Sequence, residues 1–194
     1  AYGQLLLRRG CVKEAEPYFW KAIERLTMRN PNPYDSESYY LLGVDLFLQE
    51  RLEEAYDAFY KATWSSGQQE MAFYYLAAID AHRGRLEQAL EHVERGLVKN
   101  LHNVKARGLK AYLLRRMGRT GDALEWTEKN LELDPFDFVS ANEQILLAAE
   151  WNGPRNGLRD PETLRIELDG KMRDFPEHYL MAARDYAEMG AFRE

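Results

Sequence analysis

Residues 36–69 read SESYYLLGVDLFLQERLEEAYDAFYKATWSSGQQ. Tyr39, Leu42, Gly43 and Leu46 fall at helical spacing before Glu50, and Ala55, Phe59 and Ala62 do so after it. The same marks return 34 residues later. Ala55, Ala89 and Ala123 form one series; Gly43, Ala77 and Ala111 form a second; Glu50, Gly84 and Gly118 form a third. Three series with one period and one register predict a repeated pair of helices joined by a tight turn. Small residues on the first helix let the second approach closely, and large ones fill the groove between neighbours. Glycine at the turn takes the left-handed conformation that ends a helix. Glu50 stands where the next two repeats have glycine, so strain or a different turn is expected there.

The pattern Tyr39-x-x-Leu42-Gly43-x-x-Leu46, then Ala55-x-x-x-Phe59 and Ala62, resembles the tetratricopeptide repeat (TPR) family. The resemblance implies an all-α fold, a right-handed superhelix (solenoid) of antiparallel TPR helix pairs. Ten or eleven helices and no strand are expected. Full repeats are assigned to 36–69, 70–103 and 104–137. In the second, Phe73, Leu76, Ala77, Ala89, Val93 and Gly96 hold the pattern. In the third, Arg107 and Lys110 occupy places that are usually apolar, while Ala111, Leu114, Gly118 and Ala123 restore it. A partial repeat covers 1–29, with Gly10 as its turn and Ala15, Phe19 and Ala22 on its second helix. Pro17 falls inside that helix, which is therefore expected to start late, near Glu14, or to kink. A degenerate repeat covers 138–175. Asn152–Asp160 (NGPRNGLRD) reads as a loop, followed by Asp160 as N-cap and Pro161 at the first helical position. A last partial repeat covers 176–194, with Tyr179, Ala182, Ala183, Tyr186 and Gly190. The whole, 1–194, reads as a single solenoid and as a fragment of a longer chain.

Some strings carry a narrower resemblance: Asn32-Pro-Tyr-Asp35 with Tyr39-Tyr-Leu-Leu-Gly43, Glu54-Ala-Tyr-Asp-Ala-Phe-Tyr-Lys-Ala-Thr-Trp64, and Val104-Lys-Ala-Arg-Gly-Leu-Lys110 with Leu113-Leu-Arg-Arg-Met-Gly118. They are similar to the TPR tails of large microbial proteins with an uncharacterised β-rich, sugar-enzyme-like domain ahead of the repeats. The resemblance implies context and transfers no catalytic residue.

Composition excludes several classes. Hydrophobic residues are 45% and charged residues 30% of the chain, which suits a folded domain rather than a disordered one. Apolar runs such as Ile145–Ala149 are too short to span a bilayer, and no leader is visible, so no membrane role and a cytoplasmic setting are expected. The single cysteine, Cys11, excludes an internal disulfide and a cysteine-rich zinc site. A net charge of −6 disfavours general nucleic-acid binding. His82, His92, His102 and His178 do not converge in the repeat register and read as surface residues rather than metal ligands. No base is placed beside Cys11. Asn152-Gly-Pro-Arg-Asn-Gly157 is neither a P-loop nor a dinucleotide fingerprint. No catalytic residue, metal or cofactor is expected, and the chain does not read as an enzyme.

Recognition is the remaining function. In the repeat register Tyr39, Phe59 and Phe73 are core, whereas Tyr40, Phe47, Tyr74 and Tyr112 face the concave groove. Arg95–Gly121 holds eight basic residues and no acid. Of these, Lys105, Arg115 and Arg116 join Tyr112 near the groove, although a solvated face would give the same run. Arginine can hold a carboxylate by paired bonds, and tyrosine packs broadly. The partner-binding set is therefore Tyr40, Phe47, Tyr74, Lys105, Tyr112, Arg115 and Arg116. Charge reversal at Arg115 and Arg116 is expected to weaken binding and spare the fold. The partner is a protein or peptide, an acidic one by this reading, with self-association a further option. The alternative is an accessory or dimerisation region of a larger carbohydrate-processing enzyme. Capture of chaperone tails is disfavoured, because Tyr40, Val44, Tyr75 and Leu109 depart from that clamp and Lys105 alone matches.

Overall fold

The computed structural model describes residues 1–31, 33–151 and 159–193. Among them are α1 (Tyr2–Arg8), α2 (Val12–Thr27), α3 (Glu37–Leu48), α4 (Leu52–Ala62), α5 (Gln69–His82) and α6 (Leu86–Lys99). They are followed by α7 (Val104–Arg116), α8 (Thr120–Leu133), α9 (Phe138–Glu150), α10 (Pro161–Met172) and α11 (Pro176–Glu188). The described residues contain no strand, so the chain is all-α as its period predicts. Most of the expected 152–160 loop lies outside the described residues.

One turn recurs. Gly10, Gly84, Gly118 and Gly190 have φ of 76°, 70°, 71° and 75°, and Glu50 joins them at 59°. The next residue's amide reaches back five positions each time: Cys11 to Leu6, Arg51 to Leu46, Arg85 to Asp80, Arg119 to Leu114 and Ala191 to Tyr186, at 2.9–3.0 Å. This bond closes a helix end with a left-handed residue. Glu50 therefore makes the same turn as the glycines, at the steric cost that a side chain pays there. Asn103, Asp137 and Asp160 cap α7, α9 and α10 by accepting from the amides of Ala106, Ser140 and Thr163.

The chain divides into two compact units, Ala1–Ile79 and Asp80–Glu194. In the first, α1 packs on α2, α2 on α3 and α3 on α4. Phe19, Ile23, Leu42, Leu46, Phe59, Phe73 and Leu76 form its buried centre around Ala15, Ala55 and Ala62. Gly43 is where α3 and α4 touch: a Cβ there would lie 2.7 Å from the Phe59 ring. α2 begins at Val12 rather than near Glu14, with Pro17 inside it. Pro17 sits on an exposed face, so the missing amide costs one backbone bond without disturbing the core. Asp45 is fully buried, and its Oδ2 accepts from Gln49 at 2.8 Å. Burial pushes its carboxyl up to about 6.

In the second unit α6, α7, α8 and α9 pack in succession, α7 lies against α9, and α10 and α11 both rest on α9. Gly108 lets α7 approach Val139 of α9, to which an added Cβ would come within 3.0 Å. Arg107 and Lys110 lie 4.7 and 4.4 Å from the centre of the Trp126 ring, whose Nε1 donates to the Arg107 carbonyl. The two cations thus stand in for apolar packing by holding an aromatic ring between helices. His92 corrects the surface reading of the histidines. It is buried, and its Nδ1 lies 3.0 Å from Oδ2 of the fully buried Asp80.

Candidate partner-binding site

In the first unit α3 and α5 bring together a cluster of rings. Tyr75 stacks on Phe59, with centroids 4.6 Å apart, and meets Phe47 edge-on at 5.3 Å. Tyr40 lies 6.2 Å from Tyr75 and 6.0 Å from Phe59. Tyr40, Phe47 and Tyr75 are half-buried, so each keeps an accessible edge while its body is held by the core. Tyr74 is fully buried and has no surface to offer. Tyr75, which the sequence reading left out of the set, is the half-buried tyrosine of α5 beside Tyr40 and Phe47. The signal that could have found it is the phase of α5, since Phe73, Leu76 and Ala77 already claim the core face.

In the second unit Lys105, Tyr112, Arg115 and Arg116 come from one helix, α7, yet they meet different surroundings. Arg115 is buried, which corrects its reading as a surface residue. Its Nε donates to Glu143 at 2.7 Å and its Nη1 to Glu150 at 2.8 Å. Glu143 is itself fully buried and also accepts from the Tyr186 hydroxyl at 2.8 Å. Burial, followed by the Glu143 charge, pushes the Tyr186 hydroxyl well above the ordinary tyrosine range. Asn142 donates to the same hydroxyl. Arg116 is exposed and donates to the Tyr112 hydroxyl at 3.0 Å. Tyr112 is buried, with Tyr186 edge-on at 6.4 Å. Lys105 Nζ lies 2.7 Å from Glu188 and 3.1 Å from Asp185. The basic run therefore meets acids of its own chain at several points.

A cleft of about 670 Å³ opens beside α11, lined by Phe138, Asn142 and Ile145 of α9, Leu168 and Met172 of α10, and Tyr179, Ala182 and Tyr186 of α11. Its walls are largely apolar, which suits side-chain packing more than chemistry. Among the described residues no group of histidine, cysteine and acidic side chains is arranged to hold a metal ion. Among the described residues no helix is long and apolar enough to cross a membrane.

No protein-family model matches the sequence, and no curated protein does. Solved structures do. MamA (41-end) from Desulfovibrio magneticus RS-1 is similar with a TM-score of 0.72 at 18% identity, over 90% of this chain and 93% of that one. YrrB, described as a TPR protein with an unusual peptide-binding site, gives 0.69 at 20%, over 94% and 89%. The fold is that of a TPR protein. PilF of Pseudomonas aeruginosa gives 0.66 at 18%, over 99% of this chain and 93% of that one. At such identities the likeness is one of fold, and the work of the site rests on this chain's own TPR helices.

Proposed function

We propose that this chain is a protein–protein interaction module that holds a peptide or partner domain on its helix faces. The observation that carries the reading is the Tyr40, Phe47 and Tyr75 cluster. Rings anchored by the core and open at one edge provide broad, rigid contact at little entropic cost, which is the make-up of binding hot spots. The peptide site ascribed to YrrB by its description, on the same fold, supports this reading by analogy. The reading assigns no catalysis, metal or cofactor. The second reading, an accessory or dimerisation part of a carbohydrate-processing enzyme, rests on string resemblance alone, and nothing in the geometry favours it.

The test is selection of peptides from a displayed library on the full chain, followed by titration of the selected peptides. Tyr40→Ala and Phe47→Ala are expected to weaken the ligands of the first unit at least tenfold each. Selection of no peptide above background, or peptides indifferent to every groove substitution in either unit, would overturn the reading.

A further inference from the structure

The eleventh helix reaches more than the helix beside it. α7 and α9 lie side by side, and α11, packed on α9, also contacts α7 and the end of α5. Tyr186 meets the first turns of α9 through Asn142 and Glu143 and meets Tyr112 of α7 with its ring. Asp185 and Glu188 reach Lys105 on the first turn of α7. His82 of α5 lies 3.1 Å from the Glu188 carbonyl, and its ring faces Phe192 at 6.0 Å. Lys105 and Tyr112 are the residues that the repeat register places in the groove. α11 thus presents to them an acid pair flanking a tyrosine, which is the chemistry those residues would recognise.

The helix is lightly seated. Along its length Tyr186 is its one buried residue, while Leu180 and Met181 are 67% and 48% exposed, and its end is pinned by the buried Met189 and Ala191 just beyond it. The 670 Å³ cleft separates much of it from α10. Arg184, on α11 itself, lies 3.7 Å from Asp185 and 3.9 Å from Glu188, so the acids keep a countercharge of their own when they leave Lys105.

We propose that the α7–α9 face is a docking groove for an acidic amphipathic helix of a partner protein, with an Asp-Tyr-x-Glu core, and that α11 fills it in cis until the partner displaces it. The proposal rests on the interaction-module reading and names its partner's chemistry and its control. A groove open only part of the time binds with an apparent affinity reduced by that fraction, and a tethered competitor sets the fraction.

The test uses the full chain and a fluorescent synthetic peptide of residues 176–192. Two variants lift α11 without touching α7 or α9. Asp185→Lys with Glu188→Lys places like charges against Lys105. Gly190→Ala drives a methyl to 2.8 Å from the His82 ring at a φ of 75°. The peptide is expected to bind each opened variant at least tenfold more tightly than the parent. Lys105→Glu added to the Gly190→Ala variant is expected to remove that gain, and a peptide carrying Asp185→Lys and Glu188→Lys is expected not to bind. Should an opened variant misfold, hydrogen exchange on the parent decides: saturating peptide is expected to strip protection from the α11 amides and leave α7 unchanged. Equal affinity for parent and opened chains, or unchanged α11 exchange, overturns the proposal. Self-association of Gly190→Ala that the peptide dissolves overturns it in favour of a second copy as occupant. If selected peptides still depend on Tyr40 and Phe47 while α11 proves inert, only this inference falls.

Discussion

Glu50 occupies a left-handed turn that four glycines make elsewhere in the chain. A side chain in that conformation costs about 1 kcal/mol, whereas glycine adopts it freely. Glu50→Gly is therefore expected to stabilise the chain by roughly 0.5–1 kcal/mol, the gain being trimmed by the extra freedom of the unfolded chain. A urea midpoint equal to or below the parent's would refute it. Gly43 presents the opposite case. Its missing Cβ is the space into which the fully buried Phe59 ring fits, so Gly43→Ala is expected to cost about 1–3 kcal/mol, and Gly43→Leu more. A melting temperature unchanged by Gly43→Leu would mean that α3 and α4 do not meet there. Asp45 adds a pH dependence. Burial raises its folded pKa to about 6, above the unfolded value near 3.9. The fold thus favours the protonated acid, a contribution present in full below about pH 4 and lost as pH rises through about 6. Asp45→Asn keeps an acceptor for Gln49 and carries no charge. It is expected to stabilise the chain at pH 8, by on the order of 2 kcal/mol, and to make little difference at pH 4. Denaturation at both values checks this, and an equal effect at the two would sink it.

At the scale of elements, the helices were legible because their signals are local. The spacing of Leu42, Gly43 and Leu46, and the glycines that end helices, depend on residues within one or two turns. What the elements do to one another's charges was not legible. Arg115 and Glu143 are 28 residues apart in sequence, and Lys105 and Glu188 are 83 apart, so a count of charges from Arg95 to Gly121 sees neither pair. A buried arginine is also indistinguishable by composition from an exposed one. The two arginines at the end of α7 should consequently behave differently. Arg115→Glu sets a second carboxylate against the fully buried Glu143 and removes its partner, which is expected to cost about 3–5 kcal/mol. Arg116→Glu, on an exposed side chain that gives up one hydrogen bond to the Tyr112 hydroxyl, is expected to cost about 1 kcal/mol. Thermal melts of the two single variants check this, and similar losses for both would mean that the Arg115–Glu143 pair carries no weight. The half-buried ring cluster was missed by one position for a related reason. Tyr74 and Tyr75 are both apolar choices at adjacent steps of a helix, and a step of one residue turns a side chain by about 100°, from the core to the rim.

Across the whole molecule, burial is uneven, and the unevenness fixes where the chain opens first. α7 buries nine of its residues, among them Leu109 and Leu113 with no exposed surface, and α9 buries seven. α1 buries Gly3 alone, and α11 buries Tyr186 alone, with Met189 and Ala191 buried just past its end. Opening a helix exposes the apolar surface it had covered, and the free energy required scales with that surface. α1 and α11 therefore open at small cost, by local excursions, while α7 and α9 exchange only when their unit unfolds. Hydrogen exchange is expected to show residues 1–10 and 176–193 as the least protected helical segments and α7 as the most. The two weak segments should differ under salt. α11 is held in part by Lys105 against Asp185 and Glu188, whose side chains keep 14–28% exposure and are open to screening. α1 is held by Tyr2 against Tyr18, ring to ring at 4.9 Å, which salt does not screen. Raising ionic strength is thus expected to speed exchange in α11 and leave α1 unchanged. Equal salt response in both helices would show that the acid pair does not hold α11 on its face, and uniform protection along the chain would show that burial does not govern its opening.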